Sequence, residues 1–255
     1  MEKSKKVLGI ILARGGSKSI LKKSIALCAG KPLMAYTIEA ARNAKGIDRL
    51  IISTDDEEMA EYAKSQGVEV PFLRPAELAQ DLTPDLPVMQ HALEWLKTEE
   101  GFEPEMVVHL RPTTPLKASA DISRGIHLLR SDAGADSVRS VCRPPHTPFK
   151  MFRLGEDNPY LVPILKKEYP EIFEKYSEPY NMPRQVLPEI WRHSGYLDII
   201  RTEVICDKNS MSGTHILPLP FEEWRDIDID TADDLLRAEI VINRLSSENR
   251  NTWQT

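Results

Sequence analysis

The sequence predicts an α/β fold: a mostly parallel sheet with helices on both faces. Two patterns carry this expectation. Short apolar runs alternate with amphipathic stretches of about 10–15 residues, as in successive βαβ units. The first apolar run opens directly into a glycine-bearing loop, "ARGGSKS" (Ala13–Ser19), as at the ligand edge of open α/β sheets.

The elements follow in order. Val7–Leu12 is an uninterrupted apolar run and reads as a buried strand. From Pro32, "PLMAYTIEAARNAKG" puts a proline at a helix start, apolar residues at helical spacing and Gly46 at the C-cap. Arg49–Ser53 is a second strand. "TDDEEMAEYAKSQG" is a helix with acids in its first turn and Gly67 at its end. "VEVPFL" (Val68–Leu73) reads as a third strand. A helix over Pro84–Lys97, a strand over Met106–Leu110, a helix over Ala118–Ser131 and a strand at "DSVRSVC" come next. After Cys142 the periodicity fades. Arg143–Pro188 is rich in proline, tyrosine and charge, and so long an irregular stretch marks an active-site lid or an arm reaching another subunit. Regular patterning resumes near Trp191, with a strand at "THILPLP". "DIDIDTADDLLRAEIVINRL" then leads into an amphipathic helix capped by Thr231, with Asp233 and Asp234 in its first turn. The tail "SSENRNTWQT" is expected to fray. The organisation expected is one domain over 1–255 with 143–188 as an excursion.

The formal net charge of -6 argues against a general nucleic-acid or membrane-surface role. No apolar run approaches the length of a membrane span, and Val7–Leu12 is too short for a signal-peptide core. Cys28, Cys142 and Cys206 lack the close spacing of a disulfide framework or a thiolate metal site. A cytoplasmic protein with free thiols is expected.

Against this acidic background, Leu12–Leu33 carries five basic residues (Arg14, Lys18, Lys22, Lys23, Lys31) and no acid. Gly15 and Gly16 let backbone N–H groups approach a ligand, Ser17 adds a hydroxyl, and the cations neutralise charge. A triphosphate needs that combination. The loop matches neither G-x-x-x-x-G-K-[ST] nor G-x-G-x-x-G, and a solvated basic loop with a glycine turn is the plain alternative. Near the other end, Asp226, Asp228 and Asp230 alternate, so on an extended chain they share one face. Such a face suits a hard cation such as Mg²⁺, held by one or two carboxylates plus phosphate oxygens. A solvated acidic edge before a helix is the alternative.

"LARGGSKSILKKS" resembles the N-terminal signature of the sugar-activating cytidylyltransferases, L/P-A-R-x-G-S-K-x-x-x-x-K-N. That family includes the CMP-sialic acid synthetases and the 3-deoxy-manno-octulosonate enzymes. The likeness continues through "AGKPLMAYTIEAA", "ISTDDEEMAEYAKSQGVEVPFLRPAELAQD", "LRPTTPL", "MPRQVLPEIWRHSG" and "DIDIDTADDL". It covers nearly the whole chain, in order, and fits the sialic-acid-type branch better than the octulosonate branch.

The resemblance implies a Rossmann-like nucleotidyltransferase fold with a protruding dimerisation arm, and a homodimer. It implies transfer of CMP from CTP to the anomeric hydroxyl of an acidic sugar, releasing pyrophosphate, with Mg²⁺ or Mn²⁺ as cofactor. Ala13, Arg14, Gly15, Gly16, Ser17, Lys18 and Lys23 match the nucleotide-binding loop, and Arg14, Lys18 and Lys23 would act in catalysis by positioning and charge stabilisation. Arg74 corresponds to an arginine near the cytosine; an ion pair with Glu77 is its plain alternative. Arg111 stands where many sialic-acid enzymes have Gln and could pair with the sugar carboxylate, or form a structural ion pair at a strand end. Lys150, Arg184 and Gln185 match residues on the acceptor side, and Asp228 and Asp230 match the metal-binding acids.

Three departures concern the acceptor more than the nucleotide. Ser19 replaces the usual Gly, Ser24 the usual Asn, and Ser194–Gly195–Tyr196 the usual N-G-A. Ser194 has one rotating hydroxyl where Asn has a fixed donor and acceptor. Tyr196 is expected to put a large ring near the sugar. The acceptor expected is a nonulosonate of the sialic, legionaminic or pseudaminic type. A different acceptor (3-deoxy-octulosonate, a phosphosugar or a phosphonate) and a degenerate nucleotide-binding subunit are the other readings.

Overall fold

A computed structural model describes residues 5–155 and 159–247, so residues 248–255 of the expected fraying tail lie outside it. The chain divides into two compact units, 1–140 with 194–255, and 141–193. In chain order the strands are β1 (Val7–Leu12), β2 (Leu27–Cys28), β3 (Lys31–Pro32), β4 (Arg49–Ser53), β5 (Met106–Leu110), β6 (Ser137–Cys142), β7 (Phe152–Leu154), β8 (Leu161–Pro163), β9 (Arg192–Arg201) and β10 (Ile216–Pro220). The helices are α1 (Leu33–Asn43), α2 (Glu57–Ser65), α3 (Asp85–Glu100), α4 (Ser119–Ser131), α5 (Pro170–Lys175), α6 (Thr202–Cys206) and α7 (Ala232–Ser247).

Six strands form one sheet in the order β10-β6-β9-β5-β1-β4. β1 runs parallel to both β4 and β5, and β9 runs antiparallel to β5. The chain leaves β1 for β4 on one side and returns to β5 on the other. The loops that follow β1 and β5 therefore diverge, opening a crevice at their carboxyl ends.

Helices cover both faces of this sheet. Leu8 and Ile10 of β1 pack with Met89, Leu93 and Leu96 of α3, and the same cluster takes in Ile200. Gly125 of α4 approaches β9 so closely that a Cβ on it would stand 2.7 Å from Ile199 Cδ1. Adjacent residues Ile199 and Ile200 thus serve opposite layers, as strand alternation requires. A further cluster joins Leu33 and Tyr36 of α1 to Ala238, Ile242 and Leu245 of α7, with Ile227 and Ile229 between them.

The helix ends follow the expected chemistry. The Asp56 carboxylate caps α2 by accepting from Met59 N at 3.0 Å. Gly101 ends α3 in the left-handed region (φ 61°). Thr231 and Asp234 cap α7 reciprocally: Asp234 N donates to Thr231 Oγ1 at 3.2 Å, and Thr231 N to Asp234 Oδ2 at 2.8 Å.

Two expectations need correction. "VEVPFL" is not a strand; Glu69 makes one isolated parallel bridge to Ile51, and Pro71 has no N–H with which to extend a ladder. The long antiparallel β9 was not foreseen. Its central Asp198 interrupts the apolar pattern, yet that carboxylate is fully buried and paired with Arg111. No described helix is long and apolar enough to cross a membrane. All three cysteines are free.

The second unit is built from short pieces. β7 and β8 form an antiparallel hairpin, and 3-10 turns occupy Pro148–Lys150, Pro179–Asn181 and Arg184–Val186. Phe149 is its buried centre, packed edge-on against Tyr169 with ring centroids 5.4 Å apart.

Candidate active site

The loop after β1 leaves the sheet where Ala13 N donates to Ser53 O (3.1 Å), one step beyond the ladder with β4. Gly15 then passes tightly over α2: a Cβ on it would stand 3.0 Å from Asp56 Cβ. Its amide donates to Asp55 Oδ1 (3.0 Å), and Ser17 N donates back to Gly15 O (2.9 Å). Around Gly16 there is open space.

Every basic side chain of this stretch has an acidic partner. Arg14 and Lys18 converge on the two oxygens of Asp81, the former at 3.0 Å. Lys22 pairs with Asp56 and Glu58, and Lys31 with Glu39. Lys23 reaches across to the acidic segment, donating to Asp230 Oδ1 (2.9 Å) and Ile229 O (2.6 Å). The hydrogen bond from Lys18, aided by Arg14, holds the Asp81 carboxyl below the usual range. The charge recognised in the sequence is real, and in this state it is neutralised within the protein.

A cleft of about 270 Å³ at the carboxyl ends of β1 and β5 gathers Arg14, Ser17, Lys23, Arg74 and Arg111. Arg74 is buried, and its guanidinium donates to Ser53 Oγ (3.0 Å) and Ser53 O (2.5 Å) rather than to Glu77. Burial lowers its pKa below the usual arginine value. Arg111 bridges Asp198 (2.9 Å) and Asp85 (3.2 Å). Burial opposes its charge, but the two carboxylates prevail and raise its pKa.

The acidic segment lies beside this cleft. Ile229 N donates to Thr113 O (2.9 Å), which docks the segment on the loop after β5. No strand forms there, yet the alternation holds: Ile227 and Ile229 are buried, while Asp228 and Asp230 are exposed. A Cβ on Gly195 would stand 2.9 Å from Asp228 Oδ2 and 3.6 Å from Arg111 Cδ, so the Asp228 carboxylate rests over that glycine beside the arginine stem. Asp226 instead accepts from Ser194 Oγ at 2.5 Å, and Ser194 Oγ accepts from Tyr196 N at 3.1 Å.

Tyr196 does not project a ring toward an acceptor. Its side chain is fully buried and stacked on Phe221, with centroids 4.2 Å apart. Its hydroxyl accepts from Ala118 N (2.7 Å) and Arg225 (2.9 Å) and donates to Asp121 (2.8 Å). Three partners, all inside the unit, turn it away from the cleft.

Lys150, Arg184 and Gln185 belong to the second unit. Lys150 is exposed at the end of its 3-10 turn, and Arg184 donates to Pro144 O at 3.2 Å. Arg184 and Gln185 line a hollow there with Arg143 and Glu189.

Sequence reasoning missed four residues near the cleft: Asp81, Asp85, His109 and Lys117. Lys117 is fully buried, donating to Thr114 Oγ1 (2.8 Å) and to Tyr196 O. Burial, then the charge of Arg111, push its pKa down to about 7. Buried lysines are rare enough that "TPLK" carried a weak signal; Tyr196, 79 positions away, carried none.

Residues 8–137 match the family model described as cytidylyltransferase. Post-translational flagellin modification protein B of Campylobacter coli is 28% identical over 92% of this chain and 94% of its own length. The pseudaminic acid cytidylyltransferase of Campylobacter jejuni (strain NCTC 11168) is 41% identical over 44% of this chain, which spans about half of that relative (47%). The solved structure of a CMP:2-keto-3-deoxy-manno-octonic acid synthetase complexed with CTP superposes with a TM-score of 0.66, covering 94% of this chain and 99% of that one; at 14% identity this shows the shared fold. The chain belongs to the cytidylyltransferase family, whose members are CTP-dependent enzymes.

Proposed function

We propose that the chain transfers CMP from CTP to the anomeric hydroxyl of an acidic nonulosonate of the pseudaminic, legionaminic or sialic type. The observation that carries this reading is the meeting of three groups at one sheet edge: the basic loop (Arg14, Lys23), the arginines Arg74 and Arg111, and the acids Asp228 and Asp230. The pseudaminic acid cytidylyltransferase among its relatives supports the acceptor class.

In the proposed reaction the sugar hydroxyl oxygen attacks the α-phosphorus and gives up its proton to solvent. The bond from that phosphorus to the bridging oxygen breaks, and pyrophosphate leaves. Arg14, Lys18 and Lys23 would exchange their carboxylate partners for phosphate oxygens and balance charge on the leaving group. Arg74 would stand near the cytosine, fixed by its bonds to Ser53. Lys150, Arg184 and Gln185 would serve the acceptor side, with a homodimer as the working assembly. Ser194, bonded to Asp226, would act on the acid segment more than on the sugar.

The residues fit a divalent metal. Asp228 and Asp230 are exposed carboxylates, and no group of three acidic, histidine or cysteine side chains able to hold a metal occurs among the described residues. Two oxygen donors with room for phosphate and water suit Mg²⁺ or Mn²⁺. When bound, the ion would neutralise phosphate charge and acidify the attacking hydroxyl.

The test is pyrophosphate release from CTP and Mg²⁺ with pseudaminic, legionaminic, sialic and 3-deoxy-octulosonic acids, repeated with UTP, ATP and GTP. Release with CTP and one nonulosonate is expected. Release only with the octulosonate, or with none while CTP still binds, would overturn the acceptor assignment.

A further inference from the structure

Lys117 lies between β5 and α4, in the first unit, and is 1% exposed. A lysine is almost never fully buried unless its charge is paired. This ammonium donates only to neutral oxygens, Thr114 Oγ1 (2.8 Å) and Tyr196 O. No carboxylate stands within ion-pair distance of it among the described residues. So unusual a charge calls for an explanation.

Three acids are near enough to favour its charge: Asp228 most strongly, then Asp198 and Asp121. Two of them have arginines of their own. Asp198 pairs with Arg111 at 2.9 Å, and Asp121 with Arg225 at 2.7 Å. Asp228 has no ion pair among the described residues. It rests over Gly195, and the next residue, Tyr196, gives its carbonyl to Lys117. The Gly195–Tyr196 stretch thus meets the exposed carboxylate on one residue and the buried ammonium on the next. A fixed cation so close to a carboxylate opposes a second cation on it.

We propose that Lys117 is the counter-charge of Asp228 and lowers the affinity of the acid segment for a divalent cation, so that the ion is held loosely enough to come and go with phosphate. Lys117 touches neither substrate nor metal; it acts through Asp228. The inference deepens the proposed function, since it rests on Asp228 as a metal ligand.

The test is Mn²⁺ binding followed by water-proton relaxation. It is run at pH 6, below the value of about 7 to which Lys117 is depressed, so that the ammonium is charged. Wild type, Lys117→Met and Lys117→Gln are compared, each with and without Asp228→Asn. Removing the charge should tighten Mn²⁺ about tenfold, the order expected of one charge acting on another through partly hydrated protein. With Asp228→Asn the gain should shrink below about twofold, because the ion is no longer held near Lys117. A lysine with a merely structural role predicts the opposite sign: without its hold on Tyr196 O, the seat of Asp228 loosens and Mn²⁺ binds more weakly. Equal or weaker Mn²⁺ binding by a folded Lys117→Met protein would therefore overturn the proposal, and so would a gain undiminished by Asp228→Asn. If Lys117→Met fails to fold, Lys117→Gln, which keeps a donor for Tyr196 O, must show the gain. Failure of wild type to bind Mn²⁺ even with CTP present would instead overturn the reading of Asp228 and Asp230 as metal ligands in the proposed function.

Discussion

Gly195→Ala isolates the position of one carboxylate. The added methyl would stand 2.9 Å from Asp228 Oδ2, where an ordinary contact begins at 3.4 Å. The acid must move by the difference, about 0.5 Å. Gly195 is not among the residues with positive φ, so alanine fits the backbone, and the atom displaced is the free end of a side chain. Stability should therefore change by less than about 1 kcal/mol, the scale of ordinary Gly→Ala effects. Turnover is far more sensitive, because misplacing a reacting constellation by an ångström can cost about 100-fold. Pyrophosphate release should fall about 10- to 100-fold and recover in part as Mg²⁺ is raised. Urea unfolding run alongside separates the two effects. Turnover within about twofold of wild type in a stably folded variant would show that Asp228 has no part in the reaction. A stability loss of about 3 kcal/mol or more would show that the backbone gives way, as in an overpacked core.

Three further outcomes are expected. Tyr196→Phe strands Ala118 N in the core, while Asp121 and Arg225 keep their own ion pair at 2.7 Å, so urea unfolding should register a loss of about 1–3 kcal/mol; a loss below about 0.5 kcal/mol, the floor for a net hydrogen bond, would mean the hydroxyl is replaceable. Asp81→Asn removes the carboxylate that occupies Arg14 and Lys18, so CTP should bind more tightly at low ionic strength and the advantage should fade with added salt. Weaker binding would instead assign Asp81 to the nucleotide. His109, surrounded by Asp85, Arg111, Asp198 and Lys117, is depressed to about 3 in the folded protein, so below the unfolded value near 6.5 the unfolded chain binds the extra proton first. Stability should fall with acidification between those limits, by up to about 1.4 kcal/mol per pH unit from this residue. His109→Leu should flatten that slope, and an unchanged slope would refute the assignment.

What the sequence disclosed, and what it hid, divides along chain distance. The apolar run before "ARGGSKS", the acids opening α2 and the Asp-Ile alternation at 226–230 are local patterns, and each locates an element or an exposed face. Arg111 was recognisable as a charged residue at a strand end, but its partners Asp85 and Asp198 lie 26 and 87 positions away, beyond any periodicity. Asp198 even argued against the strand that contains it, because an isolated acid reads as exposed until its buried arginine is known. Tyr196 misled for a related reason: its neighbours in sequence suggest the acceptor, whereas Asp121, Arg225 and Phe221 decide where the ring goes.

The segment from Arg225 to Asp234 is tied down at close intervals. Arg225 is held by Tyr196, Asp226 by Ser194, Ile229 by Thr113 and Asp230 by Lys23, and Thr231 and Asp234 interlock. A cord knotted at so many points has no slack. Substitutions along it leave the knots in register, whereas inserting or deleting one residue would break the alternation of buried isoleucines and exposed aspartates, and pull the acids off the rim of the cleft. Losing one side chain here unties one knot, whereas adding or removing one residue shifts every knot that follows it.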